Sequence, residues 1–202
     1  MLQAGLHNSR QAFVRITEVS PRDGLQHESE FVPTLRKIAL INALSRTGVT
    51  EIEAGSFVSP AAIPQLADSD EVLRAIDRIP GVTYSDLVPN ERGLERARAA
   101  GVDKIAVFTA ASNSFTRHNI KATVQESLVR FRPIVAAAKR DGMAVRAYLS
   151  TVVFCPYEGR IAPTQVRDVM ERLLDLAVDD ISLGETVGKA SPTDIRRLLD
   201  TV

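Results

Sequence analysis

Apolar positions along the chain follow two alternating rhythms. Residues 14–19 (Val14-Arg15-Ile16-Thr17-Glu18-Val19) alternate with period two, which predicts a strand. They run into a polar, glycine-containing stretch from Pro21 to Gln26, which predicts a loop. Leu35, Ile38, Ile41 and Leu44 then recur at three-residue steps up to Gly48, the spacing of one helical face with a glycine stop. Residues 49–54 return to strand character, and Gly55-Ser56-Phe57-Val58-Ser59-Pro60 follows as a second loop.

The same unit continues down the chain. A helix is expected over 69–79, a strand over 83–88, a helix opened by Asn90 and ended by Gly101, and a short strand over 104–108. Thr123 and Glu126 have capping-box spacing ahead of a long helix ending near Gly142. Residues 145–153 form a fifth strand candidate. A helix from about Thr164 carries Val166, Val169, Met170, Leu173 and Leu174, and residues 181–183 form a sixth strand. Ser191-Pro192-Thr193-Asp194 opens a last helix, with proline at its first position and an acid at its third.

Strands separated by helices predict a mostly parallel α/β architecture, because each parallel crossover must travel back along the sheet face. On length alone, 202 residues favour an open doubly wound sheet over a (β/α)8 barrel, which takes about 250. The polar, Gly/Pro-containing segments after successive strands nevertheless resemble the βα loops of a barrel. No dinucleotide-binding glycine pattern follows the first strand, and no Walker sequence occurs. Residues 1–12 read as an N-terminal extension, and no linker divides the remainder.

Composition narrows the partners. Lys and Arg total 25 against 25 Asp and Glu, so no global field recruits nucleic acid or anionic lipid. No apolar run approaches the roughly 20 residues needed to cross a bilayer, and the first twelve residues lack the apolar core of a secretory signal. Cys155 is the only cysteine, which excludes an internal disulfide and a cysteine-cluster metal site. A cytoplasmic location is the expectation.

Candidate chemistry collects at strand ends. Asp23 could bind a hard cation through oxygen and Arg22 could stabilise an oxyanion; equally, Asp23 is a turn residue before Gly24 and Arg22 a surface ion-pair partner. Glu51 and Glu53 share a strand face, where an apolar parallel sheet would make an unpaired carboxylate costly. If the sheet closes, Glu53 could hold the Arg22 guanidinium in a bidentate grip; otherwise both glutamates face solvent at a frayed end. Ser56, Ser59, Asn113, Ser114, Tyr148 and Thr186 could donate to a substrate carboxylate or thioester carbonyl, or could serve caps and turns. Cys155 reads as a small buried side chain. His7, His27 and His118 form no paired metal motif, although His27 lies near Asp23. Arg117 to Lys121 could meet a coenzyme phosphate or open a charged helix.

Glu18-Val19-Ser20-Pro21-Arg22-Asp23-Gly24-Leu25-Gln26 joined to Ile52-Glu53-Ala54-Gly55-Ser56-Phe57-Val58-Ser59-Pro60 resembles the 3-hydroxy-3-methylglutaryl-CoA lyase family. Similarity continues through Pro64-Gln65, Ala110-Ala111-Ser112, Phe115-Thr116, Cys155-Pro156-Tyr157-Glu158-Gly159 and Ile181-Ser182-Leu183-Gly184. The resemblance implies a TIM (β/α)8 barrel, with residues 13–202 forming the N-terminal portion of that single domain, about six strand-helix units. It also implies Mg2+- or Mn2+-dependent retro-Claisen cleavage of 3-hydroxy-3-methylglutaryl-CoA to acetoacetate and acetyl-CoA, a step of leucine breakdown and ketone-body formation. By motif matching, Asp23 becomes a metal ligand, Arg22 the stabiliser of the thioester enolate and Glu53 the group that positions or polarises that centre. Gln26, Ser56, Tyr148 and Thr186 become substrate-pocket residues.

Two departures accompany the resemblance. Family members usually carry Asp where this chain has Glu185, and the family's His-x-His metal ligands fall beyond Val202. A related acyl-CoA lyase or condensing enzyme, and a catalytically incomplete half-barrel acting as a binding protein, are therefore carried as alternatives. The expected partner is an acyl-CoA substrate, with no nucleic acid and no membrane, and a homodimer left open. Taken alone, such a chain would have its first and sixth strands as unpaired sheet edges.

Overall fold

A computed structural model describes residues 14–202 of the chain; the 1–12 extension, and His7 with it, lie outside the described residues. Six strands make one parallel sheet: β1 (Thr17–Glu18), β2 (Glu51–Ser56), β3 (Thr83–Leu87), β4 (Lys104–Ala110), β5 (Ala144–Ser150) and β8 (Asp180–Leu183). They lie side by side in chain order, with β1 and β8 at the edges. Helices α1 (Thr34–Leu44), α2 (Ser69–Ala75), α3 (Glu91–Ala99), α4 (Asn113–Ile120), α5 (Val124–Arg140), α6 (Pro163–Leu174) and α7 (Pro192–Leu199) fall between and after them. A small antiparallel hairpin, β6 (Phe154–Cys155) with β7 (Gly159–Arg160), follows β5.

The sheet curls. Neighbouring strands stand about 4.8 Å apart, so a flat sheet would hold β1 and β5 about 19 Å from each other. Arg146 on β5 nevertheless donates to Thr17 Oγ1 on β1 at 3.1 Å, and Tyr148 on β5 reaches Glu53 on β2. Side chains can bridge those strands only across a concave face. The result is the half-barrel of an incomplete TIM barrel, not the flat doubly wound sheet that length favours.

Each face has its own chemistry. Val145, Ala147 and Leu149 of β5 are wholly buried toward the helices, with Ile52, Ile105 and Val107 in the same core. The alternate residues Arg146, Tyr148 and Ser150 line the concave face and stay half-buried. Glu51 and Glu53 also point inward and are 2% and 0% exposed, so neither glutamate sits at a frayed, solvated end. Tyr84 faces the helices, its hydroxyl donating to Ser45 Oγ beyond α1, and Asp86, two residues on, shares that side. Where β2 bulges between Glu53 and Gly55, a Cβ on Gly55 would lie 2.6 Å from Ser69 Oγ, so glycine is required for α2 to approach the strand.

Local signals explain most boundaries. Asn90 caps α3 by accepting Gly93 N–H, Thr123 and Glu126 form the capping box of α5, and Ser191 and Asp194 form that of α7. Gly48, Gly101 and Gly142 end their segments at positive φ. Three expectations are corrected. The strand over 14–19 shrinks to Thr17–Glu18, with Val14 and Ile16 exposed at an edge that, among the described residues, pairs only with β2. The helix over 69–79 stops at Ala75, because the backbone beyond it bonds elsewhere: Asp77 N–H to Asn42 and Ile79 N–H to Tyr84 Oη. The strand over 145–153 ends at Ser150, and α4 and the β6–β7 hairpin replace segments the periodicity leaves as loops.

Candidate active site

The segment after β1 winds into a tight turn over Ser20–Gly24, in which the N–H groups of Arg22 and Asp23 both donate to Val19 O. Glu18 stabilises its entry by accepting Ser20 N–H at 2.8 Å, a bond that lowers the Glu18 pKa. The turn aims Arg22 over the concave face. Its Nε donates to Glu53 Oε1 at 2.7 Å and its Nη1 to Asp23 Oδ1 at 2.6 Å. Glu53 therefore does not take the guanidinium in a bidentate grip, because its second oxygen, Oε2, is taken by Tyr148. Nη2 has no hydrogen-bond partner among the described residues, leaving one donor edge free.

Glu53 is gripped from the other side. Tyr148 donates its hydroxyl to Glu53 Oε2, and its ring lies 5.6 Å from the Arg22 guanidinium carbon. Burial, then the charge of Glu53, pushes the Tyr148 phenol well above its usual pKa, so it remains a proton donor. For Arg22, burial acts to lower the pKa, but the charge and hydrogen bond of Glu53 outweigh it and the net shift is upward. A permanently charged guanidinium with a free N–H edge, fixed by a buried carboxylate, is suited to meeting a developing oxyanion.

Asp23 is more open, with half of its side chain exposed, and Gln26 Nε2 approaches its Oδ1 at 3.4 Å. Beside Gln26 opens a cleft of about 480 Å3 whose lining includes His27, Phe31, Ile63 and Gln65. Hard divalent ions take six or more oxygen ligands. Among the described residues no group of three or more His, Cys, Asp or Glu side chains is placed to hold a metal. One carboxylate, already bonded to Arg22, does not make that site, so these residues alone do not fit a resident metal.

The other candidates divide. Ser56 is fully buried and its hydroxyl is engaged by Leu87 O and Val58 N–H. Thr186 is exposed and accepts Thr151 N–H, pinning the end of β5 to the loop after β8. Asn113 and Ser114 serve helix starts, Asn113 accepting Val124 N–H while Ser114 N–H donates to Glu158. Ser59 is exposed. Cys155 is buried in the core with Ser112 Oγ 3.0 Å from its sulfur. His27 contacts Gln26, and His118 stacks on Tyr157 at 4.0 Å. Glu185 Oε2 accepts Gly188 and Lys189 N–H, and its Oε1 is buried without a partner among the described residues. Sequence reasoning passed over Asp86, and over Lys104 and Arg146, which each meet both Glu51 and Asp180 beneath the site, and Asp180 with them. The signal was the one that singled out Glu53: a charged residue within an apolar parallel strand.

The chain is similar to known proteins over nearly its whole length. The HMGL-like family pattern matches residues 13–202. The mitochondrial hydroxymethylglutaryl-CoA lyase of Bos taurus is 48% identical over 189 residues, covering 94% of this chain and 58% of that protein. The crystal structure of the HMG-CoA lyase from Brucella melitensis superposes with a TM-score of 0.92 at 51% identity, covering 94% of this chain and 67% of that one. An HMG-CoA lyase from Acinetobacter baumannii, solved with coenzyme A and 3-methylmalate, gives 0.88 at 39% identity, covering 92% and 60%. This chain thus spans less than two thirds of the length of the curated relative. From the Arg-Asp turn to the Ser-Leu-Gly end of β8, the chain belongs to the HMGL-like family.

Proposed function

We propose that the protein acts in 3-hydroxy-3-methylglutaryl-CoA lyase chemistry, cleaving that thioester to acetoacetate and acetyl-CoA. The observation that carries this reading is Arg22, anchored on buried Glu53 and presenting a free N–H edge beside Asp23. In such a cleavage a general base takes the tertiary hydroxyl proton, the hydroxyl oxygen forms the ketone C=O of acetoacetate as the carbon–carbon bond breaks, and the electron pair of that bond passes to the acetyl-CoA enolate, which then takes up a proton. Arg22 Nη2 would stabilise the enolate oxygen, where negative charge develops. Glu53 holds the guanidinium in place, Tyr148 holds Glu53, and Gln26 and the cleft beside it would receive the acyl-CoA. Ser56 and Thr186 would act on the substrate through the loops they brace.

Family membership implies dependence on a divalent metal. Mg2+ or Mn2+ is the proposed ion and Asp23 one of its ligands, with the others supplied from outside the described residues. The relatives include both mitochondrial and cytoplasmic lyases. The cytoplasm is the compartment proposed, without nucleic acid or membrane partners; among the described residues no helix is long and apolar enough to cross a membrane. A homodimer belongs to the same proposal.

The lone carboxylate favours one second reading, a half-barrel that binds acyl-CoA without turning it over. Acetoacetate release from 3-hydroxy-3-methylglutaryl-CoA, followed with and without a chelator and with the intact mass checked, separates the two. Chelator-sensitive release supports the lyase. Acyl-CoA binding without release by folded protein supports the binding reading. Release from another branched acyl-CoA alone assigns a different substrate within the superfamily.

A further inference from the structure

Directly beneath the site, four charges from four strands close a ring. Lys104 Nζ (β4) lies 3.1 Å from Glu51 Oε2 (β2) and 2.6 Å from Asp180 Oδ2 (β8). Arg146 (β5) lies 2.5 Å from Asp180 Oδ1 and 3.0 Å from Glu51 Oε1. Every member touches two of opposite sign, and the net charge is zero. Glu51 precedes Glu53 by two residues and Arg146 precedes Tyr148 by two, so the ring lies one inward-facing step toward the start of the strands, about 6.6 Å below.

We propose that Glu51, Lys104, Arg146 and Asp180 are positioning residues, a ring that sets the place of Tyr148 and, through it, of Glu53 and Arg22. The Tyr148 ring lies within reach of two guanidinium groups, Arg22 at 5.6 Å and Arg146 at 6.0 Å. Arg146 is itself held by hydrogen bonds to Asp180 and to Thr17 Oγ1, with Glu51 Oε1 in charge contact. The ring ties β1 and β2 to β5 and β8 across the concavity, the same span that the Tyr148–Glu53 hydrogen bond must bridge.

Stability does not account for such a ring. Buried ion pairs roughly repay their desolvation, and apolar replacements are often equally stable, whereas their attested use is to fix register. Glu51 and Lys104 are almost fully buried, so the desolvation cost is real here. A ring without net charge adds little field at Arg22; what it supplies is geometry.

The inference rests on the reading of Arg22 and Glu53 as the reacting end of the site, but its test needs no turnover. In the full chain, the Nε–H resonance of Arg22, assigned by its loss in Arg22→Lys, reports the Arg22–Glu53 bond. The double variant Glu51→Gln/Lys104→Met removes one charge of each sign. It is expected to unfold within a few degrees of the parent while Arg22 Nε–H exchanges about tenfold faster, a local opening. Lys104→Arg, which keeps the charge, should leave exchange at the parent's rate. A folded double variant with unchanged Arg22 exchange overturns the proposal. If the double variant does not fold, Asp180→Asn, at the more exposed corner, decides by the same signal: faster exchange supports the ring and unchanged exchange overturns it. Absence of lyase turnover in the parent would bear on the lyase reading alone.

Discussion

Tyr148 donates its hydroxyl to Glu53 across 95 residues of sequence and across the concave face from β5 to β2. The bond leaves Glu53 with a partner on each oxygen, Tyr148 on Oε2 and Arg22 on Oε1. Tyr148→Phe keeps the ring beside its two guanidinium groups but orphans a buried carboxylate oxygen. Leaving such an acceptor unsatisfied costs about 1–3 kcal/mol. Denaturant unfolding should show a loss of that size, and a variant as stable as the parent would mean that Glu53 finds another donor.

Arg22→Met removes the free N–H edge while retaining an unbranched side chain. Loss of one donor to a developing oxyanion lowers kcat by about 100- to 1000-fold. The proposed lyase should lose turnover on that scale with KM little changed. An equal loss in KM and kcat would assign Arg22 to substrate binding.

Asp86 is wholly buried on the helix side, and among the described residues neither carboxylate oxygen has a hydrogen-bond partner. Burial first, then the charge of Glu53, raises its pKa well above the ordinary carboxylate value. The native state therefore keeps a proton that the unfolded chain releases above about pH 4. Stability attributable to this group falls as pH rises from there toward the folded-state pKa. Asp86→Val should stabilise the protein by about 1–3 kcal/mol at pH 7, and by less at pH 4. Thermal unfolding at the two pH values checks this, and a gain that does not shrink at pH 4 would contradict the buried proton.

Glu185 closes the loop after β8 by accepting Gly188 N–H at 2.5 Å and Lys189 N–H at 3.2 Å through one oxygen. Glu185→Asp shortens the reach by a methylene, so one of those bonds is lost. A hydrogen bond is worth about 0.5–1.5 kcal/mol net, and amide exchange at Gly188 and Lys189 should quicken by about two- to tenfold. Unchanged exchange would show that the loop holds its shape without the longer side chain.

The elements with local causes were legible. Thr123 with Glu126, Ser191 with Asp194, and Asn90 each announced a helix start that the structure keeps. Gly48, Gly101 and Gly142 announced stops. The eight-residue α4 escaped because its Ser112 cap has no acid three residues on, and the β6–β7 hairpin because two-residue strands carry no period. The helix over 69–79 was overextended because Asn42 and Tyr84, distant in sequence, compete for its last backbone groups.

For the site, the sequence by itself determined which side chains stand at strand ends and that Glu51 and Glu53 share a face, since alternation along a strand is a local property. Only the tertiary structure decided what those carboxylates meet. The split of Arg22 between Glu53 and Asp23, the reach of Tyr148, and the closing of Glu51, Lys104, Arg146 and Asp180 into a ring all depend on strand order and curl. Curl arises from packing summed over the whole sheet, so no window of sequence contains it. The face taken by Asp86, away from the site and against α2, follows from the same packing.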